Sequence, residues 1–353
     1  MKVASIVGAR PQFIKAAPVD RELRRICEHV LIHTGQHYDY AMSAIFFEEL
    51  EIPEPSYNLG VGSASHARQT GEMLIRIADT LDEEKPDCVL VYGDTNSTLA
   101  GALAAAKLHF PLAHVEAGLR SFNRSMPEEI NRVLTDHLAN LLYCPTETAR
   151  GNLAREGIAA GVFNFGDVMY DAVEQSMEVV DTKSRILAWL DLQPGSYLLA
   201  TIHRPANTDD DNNLGSILRA LAETEETVVF PAHPRTRLAM ERMGYEPPSS
   251  VRLLEPVSYL DMLALEKNAR LVLTDSGGVQ KEAYFFGVPC VTLREDTEWV
   301  ETTEAGWNLL AGASAPRIVD AVRRFRPEDE RPQVFGDGKA SERIALHLQS
   351  VFG

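Results

Sequence analysis

Leu273-Thr274-Asp275-Ser276-Gly277-Gly278-Val279-Gln280-Lys281-Glu282-Ala283 decides how the chain is read. The apolar run before it, Ala269 to Leu273 interrupted by Arg270, suits a buried strand, and Val279, Ala283 and Phe286 then recur at helical spacing. A strand, a turn with two glycines and a helix start make an anion site. Free backbone N–H groups and the positive helix end point into the turn, and glycines let a phosphate approach. Ser276 adds a hydroxyl donor, and Glu282 lies one turn further on, where a carboxylate would meet ribose hydroxyls. An ordinary helix cap carries the same Ser/Asp-Gly-Gly signature, so the rest of the chain has to decide.

The chain has 353 residues, more than one core usually organises, and two domains of roughly 150 to 180 residues are expected. A hydrophobic fraction of 45% and a charged fraction of 24% belong to an ordinary globular protein. Net charge is 34 − 51 = −17, which argues against nucleic acid or an anionic membrane as partner. An anionic ligand must then be met by clustered Arg, Lys and His. Cys27, Cys88, Cys144 and Cys290 are far apart in apolar segments without CxxC spacing, as expected of reduced thiols in a cytoplasmic protein. The opening Met-Lys-Val-Ala-Ser-Ile-Val-Gly reads as a strand rather than a signal peptide, and no apolar run approaches the ~18 residues of a membrane span.

Outward from that stretch, short apolar strands alternate with amphipathic helices, the pattern of parallel sheets covered on both faces. In the first half strands are expected at 2–7, 29–34, 87–92 and 112–115, with helices at 10–27, 41–51, 64–81, 99–107 and from Pro127 to about Leu142. The alternation restarts with a helix at 182–192 and strands at 197–201, 228–231, 251–254, 271–274 and 290–293. The expected fold class is α/β, two Rossmann-like doubly wound domains facing a cleft. Their spans are 1–168 and 169–335, with a final helix in 336–353 returning to the first domain.

In an open parallel sheet, ligands bind beyond the carboxyl ends of the strands. Arg10, Gln36, His37, Asp94 and Glu116 all follow strand ends, Lys15 shares a helix with Arg10, and Glu128 opens a helix behind Pro127. Asp94, Glu116 and Glu128 are candidates for proton transfer, Arg10 and Lys15 for a diphosphate. Asp94-Thr95 also suits a helix cap and Glu128 a helix-dipole partner. His203-Arg204 and His233-Pro234-Arg235 bring cations to strand ends of the second half. No metal-binding spacing accompanies the carboxylates.

Gly8-Ala9-Arg10-Pro11-Gln12-Phe13-Ile14-Lys15, Gly93-Asp94-Thr95-Asn96-Ser97, His114 through Arg120, Pro127 through Arg132, His203-Arg204 and Thr274 through Gln280 occur in this order. Together they closely resemble the non-hydrolysing UDP-N-acetylglucosamine 2-epimerase family over essentially the whole chain. The resemblance implies the GT-B arrangement of two Rossmann-like domains, a homodimer, a UDP-sugar as ligand, and neither metal nor organic cofactor. It implies that UDP-N-acetylglucosamine and UDP-N-acetylmannosamine interconvert by loss of the C2 proton with departure and return of UDP. Carried over by motif, Asp94, Glu116 and Glu128 serve the chemistry with His203. Arg10, Lys15, His203, Arg204, Ser276, Gly277 and Gly278 hold the diphosphate, and Glu282 holds the ribose. Gln36 and His37 match part of an activating second UDP-sugar site, from which Tyr38 and Asp39 depart.

A further departure concerns the sugar. Arg10-Pro11-Gln12 and Thr297-Glu298-Trp299-Val300-Glu301 resemble the branch acting on UDP-2,3-diacetamido-2,3-dideoxyglucuronic acid, where more usual members have Arg-Pro-Glu in both places. UDP-N-acetylglucosamine is the expected substrate, with the diacetamido sugar as its alternative. A GT-B glycosyltransferase would use the same UDP turn but would not require three carboxylates around the sugar.

Overall fold

The computed structural model describes residues 1–36 and 54–353, apart from the side chains of Arg10 and Glu178. The expected helix at 41–51 and His37 lie outside the described residues. The chain forms two compact units, one of residues 1–175 and 333–353, the other of 176–332.

The first unit holds strands β1 (Lys2–Val7), β2 (Glu28–His33), β3 (Tyr57–Asn58), β4 (Cys88–Tyr92), β5 (Leu112–Val115), β6 (Leu141–Cys144) and β7 (Val162–Asn164). They form one parallel sheet in the order β3-β2-β1-β4-β5-β6-β7. Every residue of Cys88–Tyr92 is buried, as expected for a strand covered on both faces. Met73, Ile77 and Leu81 of the helix His66–Glu84 pack on Ile6, Ile32 and Val91. The small residues of the helix Asn96–Lys107 bring it down onto the sheet: a Cβ at Gly101 would sit 2.8 Å from Ile6 Cδ1.

Periodicity misled at the end of the helix from Pro127. The helix from Pro127 stops at Leu138, and Leu141–Cys144 form a strand followed by the helix Glu147–Arg155. Ala139 turns to extended backbone, and Asn140 is fixed to Leu112 by bonds from its N–H (2.8 Å) and to its Oδ1 (2.9 Å). A short apolar run beside a helix merges into the helical pattern until such a tie breaks it.

The division between units falls inside the helix Val168–Lys183, after residue 175. The start of that helix is fastened to the returning segment. Asp171 accepts bonds from the N–H groups of Ala340 (3.2 Å) and Ser341 (2.7 Å), and Asp167 donates its N–H to Phe335 O at 2.9 Å. The closing helix Ala340–Phe352 then packs on the helix Arg10–Ile26. In place of a helix over 182–192, only a short one at Ile186–Trp189 follows.

The second unit holds β8 (Leu198–Thr201), β9 (Val228–Pro231), β10 (Val251–Leu254), β11 (Leu271–Thr274), β12 (Cys290–Thr292) and β13 (Asn308–Leu310). The sheet is parallel, in the order β10-β9-β8-β11-β12-β13, and β13 is a strand the sequence pattern did not disclose. Its core joins Leu198, Phe230, Leu273 and Val291 to Leu214, Ile217 and Leu221 of one helix and Ile318 and Val322 of another. Both units are thus doubly wound. Strand order reverses between β1 and β4 in the first and between β8 and β11 in the second, and such reversals leave a ligand crevice at the carboxyl ends.

Candidate active site

In the first unit the turn after β1 is built by Gln12. Its Oε1 accepts from the N–H groups of Gly8 (2.8 Å) and Ala9 (3.1 Å), and its Nε2 donates to Tyr92 O (2.9 Å) and Thr98 Oγ1 (3.0 Å). Gln12 is fully buried, so the residue that departs from Arg-Pro-Glu is a backbone clamp needing both an acceptor and a donor. Gly8 fits only as glycine, because a Cβ there would lie 2.1 Å from both Ser97 Oγ and Thr34 Oγ1. Gln36 joins this corner, its Oε1 accepting from Ser97 N (3.1 Å) and Oγ (2.7 Å).

Asp94 and Glu116 follow adjacent strands, and each meets a cation. Asp94 is ion-paired with Arg132, and its backbone oxygen accepts from Asn131 Nδ2 at 2.9 Å. Glu116, 6% exposed, is ion-paired with Lys15, a cation the sequence reading had given to the diphosphate. Glu116 has φ +71°, a left-handed conformation that costs a residue with a side chain about 1–2 kcal/mol. Its N–H and that of Ala117 both reach Tyr143 O at 3.1 Å, which holds the bend. A Cβ at Gly93 would stand 3.2 Å from Glu116 Oε2 and 3.4 Å from Lys15 Nζ, so the Asp94 turn and the Lys15–Glu116 pair adjoin. Glu128 is half-buried in the first turn of its helix. The local bonds go instead to Glu129, which accepts from Ser121 N (2.9 Å), Ser121 Oγ (3.0 Å), Phe122 N (2.9 Å) and Arg132 Nη1 (3.1 Å).

Beneath these turns lies a buried charged cluster. His114 Nδ1 is 2.7 Å from Asp136 Oδ1, while Asp136 Oδ2 accepts from Arg120 Nη1 (2.6 Å) and Gly118 N (3.1 Å). Arg120 also grips Glu156 at 2.7 and 2.8 Å. Burial alone would push the Asp136 carboxyl up; His114 and Arg120 outweigh it and hold the group below its ordinary range.

In the second unit the stretch around Ser276 forms the expected strand, turn and helix, with the helix running Gly277–Phe286. Ser276 sits at the helix N-cap without a side-chain capping bond, which leaves that role of its hydroxyl open to a ligand. Asp275, fully buried, fixes the opposite loop: it accepts from the N–H groups of His203 (3.0 Å) and Arg204 (3.0 Å) and from Asn207 Nδ2 (3.0 Å). That brings His203 and Arg204 beside the turn, with His203 Nε2 3.8 Å from Asp275 Oδ1. Gly277 admits a protein group: a Cβ there would meet Glu298 Oε1 at 2.4 Å and Trp299 Nε1 at 3.1 Å. Glu298 is held by Arg294 at 3.0 Å and lies 3.9 Å from Arg204. Glu282 is buried on the same helix, 3.4 Å from Tyr259 Oη. His233 caps a helix by accepting from Arg235 N (3.2 Å), and Arg235 turns to Asp209.

Residues 21–349 match the family model described as UDP-N-acetylglucosamine 2-epimerase. The chain belongs to that family. It is 55% identical to a UDP-N-acetylglucosamine 2-epimerase homolog of Methanococcus maripaludis, over 99% of this chain and all of the relative. It is 50% identical to the UDP-2,3-diacetamido-2,3-dideoxy-D-glucuronate 2-epimerase of Pseudomonas aeruginosa, again over 99% of this chain and all of the relative. The Methanocaldococcus jannaschii UDP-GlcNAc 2-epimerase, solved in complex with UDP-GlcNAc and UDP, superposes with TM-score 0.92 at 44% identity, covering 99% of this chain and 100% of that one.

Within this epimerase-family chain, sequence reasoning missed Arg132, the His114–Asp136–Arg120 cluster, Asp275 and Arg294. Asp275 carried a signal, a carboxylate between a buried strand and a glycine turn, and Arg294 stands four residues before its partner Glu298, whereas Arg132–Asp94 and His114–Asp136–Arg120 are buried pairings of residues far apart in the chain. Among the described residues no group of His, Cys, Asp and Glu is arranged to hold a metal, and no helix is long and apolar enough to cross a membrane.

Proposed function

We propose that the chain is a non-hydrolysing 2-epimerase that interconverts UDP-N-acetylglucosamine and UDP-N-acetylmannosamine. A base takes the C2 proton, the C1–O bond breaks with its electron pair leaving on UDP, and the resulting glycal takes UDP back with a proton delivered to the other face. Glu116 carries the reading: a buried carboxylate in strained backbone at a strand end, against a lysine and beside Asp94. Strain of that kind persists where surrounding structure enforces it, as in active sites. Asp94, Glu116 and Glu128 share the proton transfers. Departure of UDP needs donors and positive charge at the phosphates, supplied by Arg10, Lys15, His203, Arg204 and the Ser276–Gly278 turn, with Glu282 on the ribose.

Full-length identity of 50% to the P. aeruginosa enzyme favours a second sugar, UDP-2,3-diacetamido-2,3-dideoxyglucuronic acid, by the same chemistry. Gln12 does not bear on that choice, since it clamps backbone. Proton NMR in D2O with each sugar in turn tests the proposal. A manno isomer with its C2 proton exchanged is expected from one of them, and inertness of both would overturn it.

A homodimer in the cytoplasm belongs to the same reading, and a monomer in sedimentation would remove the dimer. So does activation by a second UDP-sugar through Gln36 and His37; sigmoidal initial rates are expected, and hyperbolic ones would exclude it.

A further inference from the structure

His114 is fully buried, and both its ring nitrogens face acceptors: Nε2 lies 2.8 Å from Gly93 O and Nδ1 2.7 Å from Asp136 Oδ1. A carbonyl oxygen only accepts, so Nε2 donates. Asp136, already holding Arg120 and Gly118 N on its other oxygen, is an anion that accepts from Nδ1. The ring is therefore bonded at both nitrogens, sealed beneath the two turns.

What it holds is specific. The Gly93 carbonyl belongs to the peptide that leads into Asp94, and Gly93 N–H donates to Val115 O at 3.0 Å, one residue before Glu116. Asp136, which clamps His114, also binds the N–H of Gly118 two residues beyond Glu116. The ends of β4 and β5, each with positive φ at Gly93 and Glu116, are thus fixed to one another through this ring.

We infer that His114, clamped by Asp136 and Arg120, is a positioning residue that sets the Asp94 turn against the Glu116 turn through the Gly93 carbonyl. The inference rests on the proposed catalytic roles of Asp94 and Glu116. His114 itself touches no substrate. Its removal should therefore lower kcat through misplaced carboxylates and leave binding of UDP alone, because His114 bonds none of the groups proposed to hold the nucleotide.

The test compares His114→Leu, which removes both donors, with His114→Gln, which keeps a neutral donor toward Gly93 O. For His114→Leu, kcat should fall on the order of 100-fold with KM and UDP affinity unchanged, and His114→Gln should recover a large part of the loss. Wild-type kcat in folded His114→Leu would overturn the inference, as would kcat and UDP affinity falling together, or a glutamine no better than leucine. If His114→Leu does not fold, His114→Gln decides alone: reduced kcat at unchanged KM supports the role, and wild-type kcat or lost UDP affinity overturns it. Glu116→Gln, assayed in parallel, separates the two readings. A fully active Glu116→Gln removes the catalytic assignment beneath, whereas an inactive Glu116→Gln beside an unaffected His114→Leu removes the positioning role only.

Discussion

The two units place functional residues at the same point of the same topology and fill it with different chemistry. At the β1/β4 reversal and on neighbouring β5, the first unit sets carboxylates against cations: Asp94 with Arg132, Glu116 with Lys15, Asp136 with Arg120. At the β8/β11 reversal, the second unit has a glycine turn at a helix start, and the fully buried Asp275 there is used up on backbone and Asn207 donors. Its cations stand further out, with 39% of the His203 and 27% of the Arg204 side chain exposed. A doubly wound sheet supplies a crevice and says nothing of its use; the residues just past the strand ends decide whether it handles protons or holds an anion.

Breaking the first unit's side of this contrast should have the largest effect. Glu116→Gln keeps the shape and removes the carboxylate, and turnover should fall on the order of 1,000-fold in the NMR assay. Asp136→Asn should come next, lowering thermal and urea stability by about 3 kcal/mol, because it strips the buried His114 and Arg120 of the carboxylate they share and leaves Arg120 with Glu156 alone. The pH dependence has a definite sign. Asp136 titrates below its ordinary value in the folded state, so its contribution is complete at neutral pH and is lost as pH falls through that lowered value. The melting-temperature gap between wild type and Asp136→Asn should accordingly hold from neutral pH into mild acid and close only below the ordinary carboxylate range.

Gln12→Glu sharpens the comparison by separating scaffold from specificity. It removes the donor to Tyr92 O and Thr98 Oγ1, and should cost about 1–3 kcal/mol in urea unfolding without changing the ratio of turnover on the two candidate sugars. Gly277→Ala should be mildest. The added methyl meets the Glu298 carboxylate and Trp299 Nε1, and calorimetry should show UDP affinity falling about tenfold, or ~1.4 kcal/mol, with the fold intact.

The sequence disclosed what is local. Strand ends, the Ser276–Gly278 turn and the positions of Asp94 and Glu116 are written in runs of a few residues, and the structure puts them past the strands expected. What stayed hidden is set by partners distant along the chain. β6 looked like the tail of a helix until Asn140 bonded Leu112, and β13 is a three-residue strand too short to show a period. The pairing of Lys15 with Glu116 and the bonds of Gln12 to Tyr92 and Thr98 each join residues 80 or more apart in the chain, so no local pattern announces them.

The division of labour between units is tested most directly by calorimetric titration of UDP into the Glu116→Gln protein. If Glu116 serves proton transfer and other groups hold the nucleotide, the dissociation constant stays within about twofold of wild type, a difference below 0.5 kcal/mol, although turnover is lost. A weakening of tenfold or more would place Glu116 in nucleotide binding and contradict the account.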